Sequence, residues 1–164
     1  MTPEALGRLV DRHAAALTLF ARQWCAAAED VVQEAFVKLA ARRPPPDDAV
    51  AWLYQVVRNG AISAGRAERR RRSHEADAAA RRPDWFVPSE HAALDAAAAA
   101  AALQGLSVEE REAVVAHLWG GLTFEQVGRL CGVSSSTAHR RYLQALAALR
   151  ERLRVSCPNP STPT

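Results

Sequence analysis

The chain has 164 residues, enough for one ordinary domain or two small ones. Its formal net charge is only +3, yet 20 of its 21 basic residues are Arg, so their clustering says more about partners than their sum. Cys25, Cys131 and Cys157 form no close pair and argue against a disulfide framework or a zinc site. The charged N-terminus argues against a signal peptide, no stretch is apolar enough for a membrane span, and the His and acidic residues show no metal-ligand or nucleophile spacing. The composition therefore predicts a soluble, cytoplasmic, all-α protein that is not an enzyme and needs no cofactor.

In chain order, Thr2 caps and Pro3 opens a helix to about Trp24, with Leu6, Leu9, Val10, Leu17 and Phe20 on one side. A break at Cys25 to Ala28 leads to AEDVVQEAFVKLA. Val31, Val32, Ala35, Phe36 and Leu39 make its buried face, and Asp30, Gln33 and Glu34 share the other. Arg42-Arg43-Pro44-Pro45-Pro46 must end that helix, because consecutive prolines remove donors and force extended backbone. Asp47 or Asp48 then caps a third helix, AVAWLYQVVRNGAISAGRAERRRR, whose core contacts are Trp52, Leu53, Val56, Val57 and Ile62. Arg58 and Asn59 break its apolar run. Arg66 and Arg69, Arg70, Arg71 and Arg72, against the single acid Glu68, charge its end. A cationic helix end is favoured by the dipole and can be a merely solvated terminus; the same cluster beside Trp52 and Tyr54 also suits opened nucleic acid, where bases stack on aromatics.

Residues 73–88 lose all periodicity and read as a flexible linker, although Trp85-Phe86-Val87 is unusually apolar for a free tether. Ser89 caps a helix from His91 to Gln104 that carries seven successive alanines. Ser107 to Glu110 forms a capping box for a helix through Leu118, with Val114, Val115 and Leu118 turned toward the next pair of helices. The tail from residue 155 is proline-rich and polar and reads as disordered.

Between Leu122 and Leu153 lie two helices joined by a very short turn. Thr123 and Gln126 make a capping box, Val127 and Leu130 an apolar face, Gly128 a place for close crossing, and Gly132 a left-handed helix end. Ser134 caps the second helix, whose buried stripe is Ala138, Tyr142, Ala145, Leu149 and Leu153. Ser135, Ser136, His139, Arg140 and Gln144 face outward, with Arg141 nearer the stripe. Two capped helices are often no more than a helical hairpin. Here the outward face carries no acid and several donors, as a helix-turn-helix needs where its second helix enters the major groove.

These segments together resemble bacterial sigma factors of the extracytoplasmic-function (ECF) group. AEDVVQEAF is similar to the start of region two, AWLYQVVRN to its promoter-melting helix, and LSVEEREAVVAHLWGGLTFEQVGRLCGVSSSTAHRRYLQALAALRERL to region four, so the likeness runs from about Leu6 to Leu153. The resemblance implies a region-two domain over 1–72, a linker over 73–88, and a region-four helix-turn-helix domain over 89–154. It implies that Asp30, Gln33 and Glu34 hold core RNA polymerase and that Trp52, Arg58, Asn59, Arg66, Arg69 and Arg70 handle the opened minus-ten element. Ser135, Ser136, His139, Arg140, Arg141 and Gln144 would then read the minus-thirty-five element. The partners implied are core RNA polymerase, promoter DNA and an anti-sigma factor, the free chain being a monomer. Two departures stand out: the loop Arg42 to Asp48 is shortened and proline-rich, and Leu143, Leu146 and Ala147 occupy positions where relatives often carry basic residues. The alternatives are a stand-alone helix-turn-helix regulator and a polymerase-binding inhibitory adaptor.

Overall fold

The structure, a computed structural model, describes residues 2–74 and 101–156, and all regular structure among them is helical. The first three helices, α1 (Pro3–Ala21), α2 (Ala28–Ala41) and α3 (Ala49–His74), pack on one another as an N-terminal helical domain. Thr2 Oγ1 accepts the Ala5 N–H at 3.2 Å, capping α1. That helix stops at Ala21, earlier than the periodicity predicts, because α3 presses on the turn between α1 and α2. A side chain at Gly65 would collide with the Trp24 carbonyl, and the Glu68 carboxylate accepts the Ala26 N–H at 3.1 Å. Glu68, the lone acid in the arginine run, is therefore an anchor between elements.

No side chain caps the start of α2, but Arg22 pairs with Glu29 in its first turn, and that hydrogen bond holds the Glu29 carboxyl below its ordinary range. Val32, Ala35, Phe36 and Leu39 are buried as the stripe requires, and Val31 is half-buried against Gly60. Of the two candidate caps for α3, Asp48 serves: its Oδ1 accepts the Ala51 N–H at 2.9 Å.

Residues 101–104 are helical and lead to the C-terminal helical domain, α4 (Val108–Val114), α5 (Phe124–Cys131) and α6 (Ser135–Ser156). Ser107 Oγ accepts the Glu110 N–H at 3.2 Å, and Glu110 Oε2 accepts the Ser107 N–H at 3.0 Å, completing the capping box. The helix continues past α4 as a π-helical turn, Val115–Trp119. One extra residue in that turn rotates the chain beyond it, so Leu118 is 51% exposed and does not pack on the hairpin as the 3.6-residue spacing predicts. Val114 and Val115 are fully buried.

One continuous core joins the two domains. Leu17, Phe20, Leu53 and Tyr54 from the first lie in the same cluster as Val115, Ala116, Leu122 and Val127 from the second. Tyr54 is wholly buried, edge-on to Phe20 at 5.0 Å, and cannot stack on a nucleotide base as its position beside the arginines suggests. Leu103, Leu106, Val114 and Ala145 form a smaller cluster, against which Leu19 of α1 also packs. Residues 73–74 of the expected linker and 155–156 of the expected disordered tail are instead the last residues of α3 and α6; the rest of the linker with Trp85-Phe86-Val87, the alanine helix up to residue 100, and the tail from residue 157 lie outside the described residues.

Candidate nucleic-acid interface

The junction of α5 and α6 is built from local chemistry. Thr123 N–H donates to Gln126 Oε1 at 2.6 Å, while Thr123 Oγ1 accepts the Gln126 N–H at 3.3 Å. Gly132 ends α5 at φ 69°, a left-handed conformation that costs glycine little. A side chain on Gly128 would come within 2.8 Å of the Val133 carbonyl, so only glycine lets the turn fold back so tightly. Ser134 Oγ then accepts the Thr137 N–H at 3.2 Å and opens α6.

On α6, Ala138 and Ala145 are buried and Tyr142 and Leu149 half-buried, whereas Leu153, expected in the stripe, is exposed. Ser135, Ser136, His139, Arg140 and Gln144 are all exposed, and Arg141 is half-buried beside the core. The His139 ring lies edge-on to Phe124 with centroids 4.7 Å apart, and Phe124 stacks on His117 at 4.2 Å. His117 Nδ1–H donates to the Leu122 carbonyl at 2.7 Å. An aromatic chain through three elements thus orients His139, which periodicity alone leaves free.

Asp30, Gln33 and Glu34 are exposed along one face of α2, and Glu34 pairs with Lys38 at 2.9 Å. Val37, 67% exposed on that same face, is a member that the polar pattern alone does not pick out. The signal for it was available: 37 falls off the 32, 35, 36, 39 stripe, so an apolar residue stands among polar ones. On α3, Trp52 is half-buried under the Arg42 guanidinium, 5.6 Å from its centroid, and Asn59 is exposed and accepts from Gln55 Nε2 at 3.3 Å. Arg66, Arg69, Arg70, Arg71 and Arg72 lie along the far half of the helix, all exposed.

Arg58 differs from this set. Its Nε–H donates to Glu112 Oε1 at 2.5 Å, across the seam between domains, and its guanidinium also lies 5.9 Å from the centre of the Trp24 ring. Asp48, besides capping α3, accepts a hydrogen bond from Gln126 Nε2 across the same seam. Neither pairing had a signal in the sequence, since the partners are far apart in the chain and each has a sufficient local reading. Near the seam, burial pushes the Cys131 thiol up to about 12, the Glu112 carboxylate adding to the effect, and burial pushes Cys25 to about 11. Both thiols are held in their unreactive form.

Comparison with known proteins gives these surfaces a context. The Sigma-70 region 2 family model matches residues 4–71, and the Sigma-70, region 4 model matches residues 96–149. The ECF RNA polymerase sigma factor SigL of Mycobacterium tuberculosis is 33% identical over 150 residues, covering 87% of this chain and 85% of SigL. The chain belongs to the ECF sigma factors of the sigma-70 family.

The RNA polymerase sigma factor CarQ of Myxococcus xanthus is likewise 33% identical, over 78% of this ECF sigma factor and 75% of CarQ. Among solved structures, the sigma factor RpoE from Bartonella quintana, in complex with the anti-sigma factor NepR, superposes with a TM-score of 0.71 at 25% identity, covering 94% of this chain and 99% of RpoE. CnrH, solved with the cytosolic domain of CnrY, shares the fold with a TM-score of 0.60 at 24% identity, over 95% of this chain and 92% of CnrH. Region 2 thus spans α1 to α3, and region 4 includes α4 to α6 up to residue 149. The family is one of polymerase subunits and not of enzymes. No described helix is long and apolar enough to cross a membrane.

Proposed function

We propose that this ECF sigma factor directs core RNA polymerase to promoters and aids strand opening there, with residues 1–72 and 89–154 as its two working domains and 73–88 as the connection. The observation that carries the proposal is the outward face of α6. Ser135, Ser136, His139 and Arg140 are exposed at the start of a helix fixed by a tight glycine turn and a serine cap. That is where a helix-turn-helix presents side chains to base edges. Arg141 and Gln144 flank the reading residues. Asp30, Gln33 and Glu34, with Val37 among them, supply the polymerase-facing surface on α2, and Trp52, Arg58 and Asn59 handle the opened minus-ten element. RpoE and CnrH are each solved with a bound partner, RpoE with an anti-sigma factor. An inhibitor protein of that kind is accordingly a further partner to seek for this chain.

The test is reconstitution. The purified chain co-elutes with core polymerase and, once bound, starts RNA chains at discrete sites on genomic DNA; a dimer that binds a palindrome without polymerase would instead make it a stand-alone regulator. A second expectation concerns the exposed arginines Arg66 and Arg69 to Arg72. Contacts to phosphate add affinity without sequence preference and release counterions, each contributing a salt-dependence slope of about 0.9 on duplex or about 0.7 on single strands. Neutralising three of these arginines lowers the slope of log affinity against log salt for holoenzyme on promoter DNA by roughly 2 to 3. An unchanged slope would make them a solvated helix end.

A further inference from the structure

Three features of the seam between regions 2 and 4 belong together. The Glu112 carboxylate, with its side chain 3% exposed, is buried against Arg58, which keeps 25% exposure. The Tyr54 ring fills the space left by Gly120, where any side chain would strike the Tyr54 ring and hydroxyl and the Ala116 carbonyl. Among the described residues, that buried hydroxyl has no hydrogen-bond partner. Gln126 reaches across to Asp48 at the other edge.

We propose that this seam is an intramolecular latch that holds the free chain shut, with Glu112 occupying Arg58 in place of nucleic acid. The proposal rests on the reading of the chain as a promoter-binding sigma factor, and two observations support it. The first is size. Elements centred near positions minus ten and minus thirty-five lie about 25 base pairs, or about 85 Å, apart along a duplex. A closed globule of this length has a radius of gyration of only about 15 Å. The two DNA-facing surfaces therefore reach both elements only after the domains part.

The second is the chemistry of the seam. A buried ion pair contributes little net stability when opening returns both charges to water, because desolvation offsets the attraction. Its geometric demand nonetheless selects one docked arrangement. The unpartnered Tyr54 hydroxyl opposes closure, since parting the domains exposes it to water. Apolar contacts close such a seam, the ion pair sets its register, and a competing partner opens it. Promoter DNA offers Arg58 the same kind of ligand that Glu112 does, an anionic oxygen, so closure and minus-ten contact exclude each other at that residue.

The test uses the full-length chain. Glu112→Arg sets two cations against each other in the seam, and solution X-ray scattering shows the radius of gyration rising by roughly a third or more as the domains separate. Circular dichroism at unchanged helicity confirms that both domains stay folded. Should Glu112→Arg unfold region 4, Glu112→Gln keeps the shape, removes the charge, and gives a smaller expansion in the same direction. Exchanging the charges in Arg58→Glu with Glu112→Arg restores the compact scattering profile. A Glu112→Arg chain that scatters like the wild type, or an exchanged chain that stays expanded, overturns the latch. This arm involves neither polymerase nor DNA, so it fails or succeeds independently of the promoter reading. In the second arm, core polymerase titrated with Glu112→Gln binds at least roughly three-fold tighter, because a smaller closed population competes. Expansion without tighter binding would overturn the claim that closure restrains polymerase.

Discussion

Glu34→Arg is expected to abolish binding to core polymerase, lowering affinity more than about 100-fold, while leaving the fold intact. The fold survives because Glu34 is exposed on α2 and its ion pair with Lys38 is an exposed i,i+4 contact worth about 0.3–0.5 kcal/mol. The buried side of that helix, Val32, Ala35, Phe36 and Leu39, is untouched. Binding is lost because the substitution puts a long cation, next to Lys38, in the middle of the Asp30, Gln33, Glu34 and Val37 face. A partner surface complementary to acids then meets like charge, which costs several kcal/mol. Co-elution with core polymerase, beside a circular dichroism spectrum matching the wild type, checks both halves of the statement. Undiminished co-elution would return this face to an ordinary solvated helix surface.

The second large effect is on specificity. Arg140 is exposed about one turn into α6, where a side chain reaches base edges, and arginine pairs best with the two acceptors of guanine. Losing such a contact costs roughly 1–3 kcal/mol, or about 5- to 150-fold at one position. Arg141 is half-buried against the core, and a side chain held there is expected to meet the phosphate backbone instead. Arg140→Ala should therefore relax preference at one or two upstream positions, whereas Arg141→Ala should weaken all promoters alike. Selection from a library of promoter variants with each mutant holoenzyme separates the two. Unchanged upstream preference with Arg140→Ala would assign the reading to Ser135, Ser136 or His139.

The elements were legible because each announces itself locally. Thr2, Asp48, Ser107, Thr123 and Ser134 are caps in the structure as their side-chain chemistry dictates, and Gly132 takes the left-handed turn that only a residue without a side chain adopts cheaply. The exposed faces of α2 and α6 are legible from helical spacing for the same reason. What stayed hidden depends on contact between distant parts of the chain. Arg58 reads as a polar break in an apolar run until Glu112 is brought to it, and Tyr54 reads as an aromatic available for stacking until Gly120 closes over it. Leu118 is misplaced for a different reason: its position is counted along an α-helix, and the chain there does not keep that period.

That departure has a consequence for how the sequence can vary. A π turn is an α-helix that has accepted one surplus residue. Within Val115–Trp119, loss of a single residue would therefore leave an unbroken helix but swing everything beyond it through about 100°. Gly120 would leave its place over Tyr54, and the first cap of the helix-turn-helix would point elsewhere. Shortening by one, usually harmless in a loop and disruptive in a helix, would here spare the local secondary structure and cost the alignment of one half of the molecule with the other.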